Sequence, residues 1–549
     1  MLLSTILVLF CSDTCQSATP TLTILHTSDI HGWIYGHRHE PARNADAGDL
    51  YNFIYHRKMR RSPNEIVLAF DSGDMIEGTG LGEVNDSRGA EIFNIMKDIP
   101  YDGLMFGNHD IKYDKSVDHL FNSFAPVFGE RYLGGQGVYY NSSKTLGNPF
   151  NVLSLGTEGN ILVIGFTYNI ANVQTHIKVT GVSAYLKLPW FAQAMAVPNV
   201  RAIICVCHIG SDHTHLDNIH GKIRSHHPST PVVFLTGHTH TERTMDLDEE
   251  GFIMEPGRYF NKIGVMSFTL PPKTTKRTKT NFAKLEEVNG GLVSGIDKST
   301  FNHKYLETNV TKMQNEIGMN STAWMTTMGA RIRANLQSRL RTFGLLNQIG
   351  CSPQTYSNSA YASEEKSIYR LLVDVVYPAS GGKRSDVFRH NGIINNGQNE
   401  QNAIKTLYIQ DVKMRYSMYE GPVLLDDLYC TDPMGYEQHG ILNIRGSHLK
   451  ALWESEGSKS STPKKGPSLA YLGVEDDEEA LDGNFNDDRW LTTCDIVDSE
   501  VYDLFMPNNV AAQAKKILDI IAPGVYSVQT TGMTSRQIFQ KFIQTHWKC

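Results

Sequence analysis

Residues 22–32 read Leu22-Thr23-Ile24-Leu25-His26-Thr27-Ser28-Asp29-Ile30-His31-Gly32. The apolar run Leu22–Leu25 has the length and composition of a buried strand. It is followed at once by an acid and an imidazole spaced two apart. On an extended backbone, side chains at that spacing point the same way, so Asp29 and His31 are expected to face one site.

The same arrangement recurs along the first half of the chain. Buried strands are predicted at Ile66–Phe70, Gly103–Phe106, Ile161–Phe166, Ile203–Val206 and Val232–Leu235. Helical patterns such as Asp49–Arg60 and Gly89–Lys97 separate several of them, which implies α/β layering around a buried sheet. Gly73-Asp74, Gly107-Asn108-His109-Asp110, His208 and Gly237-His238-Thr239-His240 each close one of these runs. In open α/β sheets, loops at that edge bind ligands. Gly73, Gly107 and Gly237 are expected to allow tight turns beside the polar residues.

Imidazole and carboxylate in this mixture suit two divalent cations, with Zn, Mn and Fe all compatible. Two cations a few ångströms apart repel, so a carboxylate must lie between them, and Asp74 is the best-placed bridge. A hydroxide held by both metals could attack phosphorus in line. His109 is left over as a proton or hydrogen-bond donor to the leaving-group or phosphoryl oxygen.

Composition agrees with a folded enzyme. Hydrophobic residues make up 40% and charged residues 20% of the chain, while His reaches 21 copies. A net charge of −7 argues against nucleic acid as a partner. The expected partner is a small-molecule phosphate ester, and oligomeric state is not legible. Residues 1–17 read as a signal peptide, with an apolar Leu2–Cys11 too short to span a bilayer. No later run is long enough for stable membrane insertion. Asn-x-Ser/Thr acceptors at Asn85, Asn141, Asn309 and Asn320 fit a secreted protein or one of the vacuole or ER lumen. Six cysteines remain after residue 17, too few to be a framework, and Cys205 and Cys207 read as core thiols.

At 549 residues the chain implies at least two domains. The expected division is a signal peptide over 1–17, a first domain over 18–295, a linker and bridging helix over 296–345, and a second domain over 346–549. The linker assignment rests on polar, partly basic sequence after Pro271, and the helix on the Arg- and Leu-rich stretch Met325–Leu345. Ser455–Asp488 reads as an exposed insertion.

Leu25-His26-Thr27-Ser28-Asp29-Ile30-His31-Gly32 and Phe106-Gly107-Asn108-His109-Asp110 resemble motifs of the calcineurin-like metallophosphoesterases, and within them of the 5′-nucleotidase family. Gly36-His37-Arg38-His39-Glu40-Pro41 and Gly257-Arg258-Tyr259-Phe260 are more similar to its fungal-type branch. The resemblance implies a four-layer sandwich, two packed sheets flanked by helices, followed by a 5′-nucleotidase C-terminal-like α/β domain. It implies one metal on Asp29, His31, Asp74 and His240, and a second on Asp74, Asn108, His208 and His238. It makes His109 the catalytic histidine, oriented by a carboxylate. Bacterial-type relatives carry an Asp three residues after this His, where this chain has Lys112, so Asp110, Asp114 and Glu77 remain open as substitutes. The family does not use His213 and His215, which read as loop histidines.

Lys413-Met414-Arg415 through Asp426-Asp427-Leu428-Tyr429 is similar to the family's substrate domain, where an Arg contacts phosphate; Arg415 matches it. The family's first base-stacking aromatic is replaced by Met434, and its second clamp loop is absent near Phe505–Val510. The expected function is hydrolysis of phosphomonoesters, with nucleoside 5′-monophosphates the leading class. Two other readings stay open: a phosphodiesterase acting on cyclic nucleotides or nucleotide sugars, and a non-catalytic, metal-containing secreted binding protein.

Overall fold

A computed structural model describes residues 19–139, 144–170, 175–271, 301–360, 364–377, 379, 405–408, 414–456 and 497–549. The expected signal peptide, Asn141, the basic stretch after Pro271 and nearly all of the Ser455–Asp488 insertion lie outside these residues. Two sheets build the first domain. One runs in the order Asn302–Glu307, Lys262–Thr269, Thr21–Thr27, Glu65–Asp71, Gly103–Leu104. The other runs Glu242–Asp248, Gly251–Pro256, Val232–Leu235, Val200–His208, Asn160–Thr167, Phe150–Ser154.

Strand alternation explains how the layers stack. Ile161, Val163, Ile204, Val206, Val233 and Met254 pack with Leu22, Ile24 and Phe70 of the first sheet. Their neighbours Leu162, Ile164, Ile203, Cys205, Cys207 and Phe234 face the opposite way, with Val182, Leu216 and Ile223 from the outer helices. A period of two therefore covers both faces of this sheet. Cys205 and Cys207 are buried free thiols in that outer layer.

Thr21–Thr27 and Glu65–Asp71 run parallel, as do Asn160–Thr167, Val200–His208 and Val232–Leu235. Parallel pairing brings the C-terminal ends of these strands to one edge, and the loops that leave them meet there.

The segment after residue 295 is more than a linker. Asn302–Glu307 pairs antiparallel with Lys262–Thr269 and forms an edge of the first sheet. Its polar outer residues hid it from a reading based on apolar runs. The bridging helix spans Thr327–Thr342, capped by the Thr326 side chain. It crosses Ala47–Met59 at two glycines: a Cβ on Gly48 would sit 2.5 Å from the Gly329 carbonyl, and one on Gly329 would sit 2.2 Å from Asn52 Oδ1. Arg333 ties the crossing by donating to Asp46 and Asp49.

The second region holds a four-stranded sheet, Lys405–Tyr408, Val501–Pro507, Glu437–Arg445 and Val528–Thr534. Ile441, Ile444, Leu504 and Leu518 form its core with the helix Asn508–Ile521. Cys351 and Cys549 form a disulfide that fixes the C-terminal helix Ser535–His546 against the Gln348–Ser352 strand.

Candidate dimetal site

The expected extended backbone at the ligand pairs is not what the chain adopts. Asp29, His31, Asp74, Glu77, His238 and His240 all have φ between 49° and 84°. Side chains of these residues converge because the loops turn left-handed after each strand, not because a strand continues. Each such residue costs about 1–3 kcal/mol and persists only where its surroundings hold it. Here backbone bonds do so, from Asp29 N to Gly73 O (2.9 Å) and from His31 N to Asp74 O (2.9 Å). Gly73 has φ 100°, as a turn glycine should. Gly107 and Gly237 serve a different purpose, close approach: a Cβ would lie 2.0 Å from Asp74 Oδ1 and 2.1 Å from Ser28 Oγ, respectively.

Two buried acids that the motifs do not include as ligands hold these loops. The Asp110 carboxylate accepts from Asp74 N (2.9 Å), Met75 N (2.9 Å) and Gly107 N (2.8 Å). Glu255 accepts from Thr239 N (3.1 Å), Thr239 Oγ1 (2.7 Å) and Ser211 N (3.2 Å), which shapes the His238–His240 turn. Burial, followed by the nearby Asp29 charge, pushes Glu255 up to about 8. Sequence reasoning missed Glu255; its signal was a lone acid at the end of the apolar run Phe252-Ile253-Met254.

Two candidate ligand groups share this edge. Asp29, His31, Asp74 and His240 bring one ligand atom each within 4.8 Å of one another, and Asp74, His208 and His238 do the same. Asp74 belongs to both groups, and its Oδ2 lies 3.2 Å from His208 Nε2 and 3.8 Å from His31 Nε2. Asn108 Oδ1 lies 3.1 Å from His208 Nε2, at the side of the second group. His31 Nδ1 donates to Glu77 O (2.8 Å), and His208 Nδ1 donates to Ser72 O (2.9 Å). Those bonds turn Nδ1 of each ring away from the shared centre and leave Nε2 facing it, the nitrogen a metal there would take. Nitrogen and oxygen donors in this ratio fit a pair of borderline divalent cations. Burial alone would raise Asp74, but the imidazoles of His208, His109 and His31 outweigh it and hold its carboxyl well below the usual range. Burial lowers His208, and the Asp74 charge beside it reverses this, raising it to about 10.

His109 stands beside this centre. Its backbone N donates to Asp74 Oδ1 (2.8 Å), and its Nδ1 donates to Glu77 Oε1 (2.8 Å). Of the three carboxylates left open by the sequence, Glu77 is the one that reaches the ring. Asp110 is occupied by backbone amides, and Asp114 pairs with His176 at 3.1 Å. Lys112 Nζ donates to Glu77 Oε1 (2.9 Å) and lies 3.5 Å from Met434 Sδ. From the second region, Arg415 reaches in: Nη2 is 3.3 Å from His109 Nε2, and Nη1 donates to Glu77 O (3.3 Å). His213 caps the helix Thr214–Arg224, consistent with a loop role.

Two face-to-face sheets with paired imidazole and carboxylate clusters at the strand ends define a metal-dependent phosphoester hydrolase. Residues 22–242 of this chain match the calcineurin-like phosphoesterase family. Its relatives include an uncharacterised Schizosaccharomyces pombe protein, 24% identical over 90% of this chain and 80% of that protein. A secreted protein of Arthroderma benhamiae is 23% identical over 79% of this chain and 67% of its own length. The fold also matches the crystal structure of 5′-nucleotidase from Candida albicans, with a TM-score of 0.74 and 19% identity over 96% of this chain and all of that one. The expected sandwich with a 5′-nucleotidase-type second domain is therefore the fold observed.

Proposed function

We propose that the chain hydrolyses phosphomonoesters, with nucleoside 5′-monophosphates the leading substrate class. One observation carries the reading. Arg415 Nη2 and His109 Nε2, from distant parts of the chain, meet at 3.3 Å, with His109 Nε2 3.9 Å from Asp74 Oδ2. A phosphoryl oxygen set beside the pair, within reach of both nitrogens, would accept from the guanidinium and the imidazole together.

Asp29, His31, Asp74 and His240 would hold one divalent cation, and Asp74, Asn108, His208 and His238 the other. Bound there, the pair would supply an acidified water and neutralise phosphoryl charge. The remaining steps belong to the protein. Arg415 binds and orients the phosphate; His109 holds a proton at Nε2 for the leaving-group oxygen; burial of the cluster excludes bulk water.

A secreted or lumenal location is part of the same proposal. The Cys351–Cys549 disulfide supports an oxidising compartment, and a relative carries the name of a secreted protein. Among the described residues no helix is long and apolar enough to cross a membrane.

The deciding experiment is a phosphate-release screen on the purified protein before and after chelation, with Zn, Mn and Fe added back. Release from monoesters that disappears on chelation and returns with metal supports the reading. Turnover of diesters alone would replace it with the phosphodiesterase alternative.

A further inference from the structure

We propose that Glu77 is the positioning residue for His109, a role that rests on the phosphomonoesterase reading above. Three observations meet at this residue. Its side chain is fully buried, and Oε1 accepts from His109 Nδ1 (2.8 Å). Its backbone carbonyl accepts from His31 Nδ1 (2.8 Å) and from Arg415 Nη1 (3.3 Å). Its φ of 70° is the left-handed conformation that turns both carbonyl and carboxylate towards the cluster. One residue therefore sets the ring orientation of a metal-ligand histidine, the ring orientation of the proton donor, and the seat of the phosphate-binding arginine.

The surroundings keep it rigid. A Cβ on the next residue, Gly78, would lie 2.5 Å from the His31 carbonyl, so the two loops touch through backbone. Lys112 Nζ donates to the same Oε1 at 2.9 Å. Lys112 lies three residues beyond His109 and has no acceptor to offer an imidazole N–H. Its ammonium instead pairs with the buried carboxylate that does the orienting, and this offsets part of the cost of burying that charge. With Nδ1–H committed to Glu77, Nε2 is the nitrogen presented to substrate, 3.3 Å from Arg415 Nη2.

A residue that acts by aiming His109 leaves a chemical signature that a structural residue does not. Loss of leaving-group protonation slows esters of weakly acidic alcohols and phenols more than esters of acidic phenols. The test compares phenyl phosphate with 4-nitrophenyl phosphate for the wild type, Glu77→Gln, Lys112→Met, His109→Asn and the Glu77→Gln/His109→Asn double variant. Bound metal and thermal midpoint are measured for each. For Glu77→Gln, kcat on phenyl phosphate should fall about 10–100-fold, with KM and metal content kept and a smaller fall on 4-nitrophenyl phosphate. Lys112→Met, which leaves the carboxylate in place, should show the same pattern more weakly. In the His109→Asn background Glu77→Gln should add almost nothing, because the group it aims is gone.

Equal losses on both esters, or full additivity with His109→Asn, would overturn the proposal. So would loss of metal from Glu77→Gln. A wild-type protein inert on both esters would instead reject the phosphomonoesterase reading itself.

Discussion

Arg415 Nη2 lies 3.3 Å from His109 Nε2, although 306 residues separate them in the chain. Arg415 is buried, and the loop that carries it belongs to the second region, so the site is assembled from two distant parts of the sequence. Arg415→Ala should therefore raise KM for a small phosphomonoester and leave the metals in place. A charge-assisted contact of about 1.5–3 kcal/mol corresponds to roughly a 10–150-fold loss in kcat/KM. Arg415→Lys should recover only part of it, since an ammonium cannot reproduce the planar fork. Unchanged kinetics for Arg415→Ala would remove Arg415 from the site.

Asp74 is common to both ligand groups, so Asp74→Asn should hurt more than any other single ligand change. Elemental analysis should give close to two metal ions per chain for the wild type and a marked loss for the variant. His109→Asn should behave differently, with kcat down about 10²–10⁴-fold while metal and KM stay near the wild type. Metal loss in His109→Asn would make that residue a ligand.

Base selectivity should be weak. Met434 is buried against Lys112 and offers no planar face, so stacking worth about 1–3 kcal/mol per aromatic is forgone there. Comparing kcat/KM across the adenine, guanine, cytosine and uracil 5′-monophosphates and an aryl phosphate measures this. A preference for one base beyond roughly a hundredfold, about 3 kcal/mol, would mean that other residues read the base.

Glu40 gives a pH dependence away from the metal centre. His37, whose Nδ1 lies 3.7 Å away, opposed by burial and helped by the Tyr416 hydroxyl, holds it down to about 2 from an ordinary 4.5. Tyr416 follows Arg415 and donates to Glu40 at 2.6 Å, linking the two regions. A carboxyl depressed in the folded state stabilises it above the unfolded pKa and loses that contribution as pH falls towards the folded one. The thermal midpoint of the wild type should exceed that of Glu40→Gln at pH 6, and the gap should narrow between about pH 4.5 and pH 2. A gap that grows on acidification would reverse the sign of the argument.

Cys351 and Cys549 close a loop with a sequence separation of 198. Removing such a link commonly lowers stability by about 2–4 kcal/mol. Cys549→Ser should lower the thermal midpoint, and a reductant should lower the wild type to match while sparing the variant. An identical midpoint with and without reductant would show that the bond carries no stability.

Much of this molecule is legible in its sequence. Apolar runs at Leu22–Leu25, Ile161–Phe166 and Val232–Leu235 marked the sheets, because a buried strand must be apolar whatever surrounds it. Asp29, His31, Asp74, Asn108, His208, His238 and His240 stood out because metal chemistry restricts donors to a few residue types, placed where strands end. What local sequence could not contain was geometry made by other segments. The Asn302–Glu307 edge strand is polar outside and takes its place from pairing with Lys262–Thr269. The left-handed turns at Asp29 and His238 exist because Gly73 and Glu255 hold them from elsewhere in the chain, against the local preference for extended backbone. The choice of Glu77 over Asp110 and Asp114 as partner of His109 followed from which carboxylate the backbone amides and His176 had already occupied. Residue type decided what chemistry the site could perform. Only the folding of distant loops onto one sheet edge decided which groups touch, because hydrogen-bond reach is a few ångströms and the chain brings those atoms together only in three dimensions.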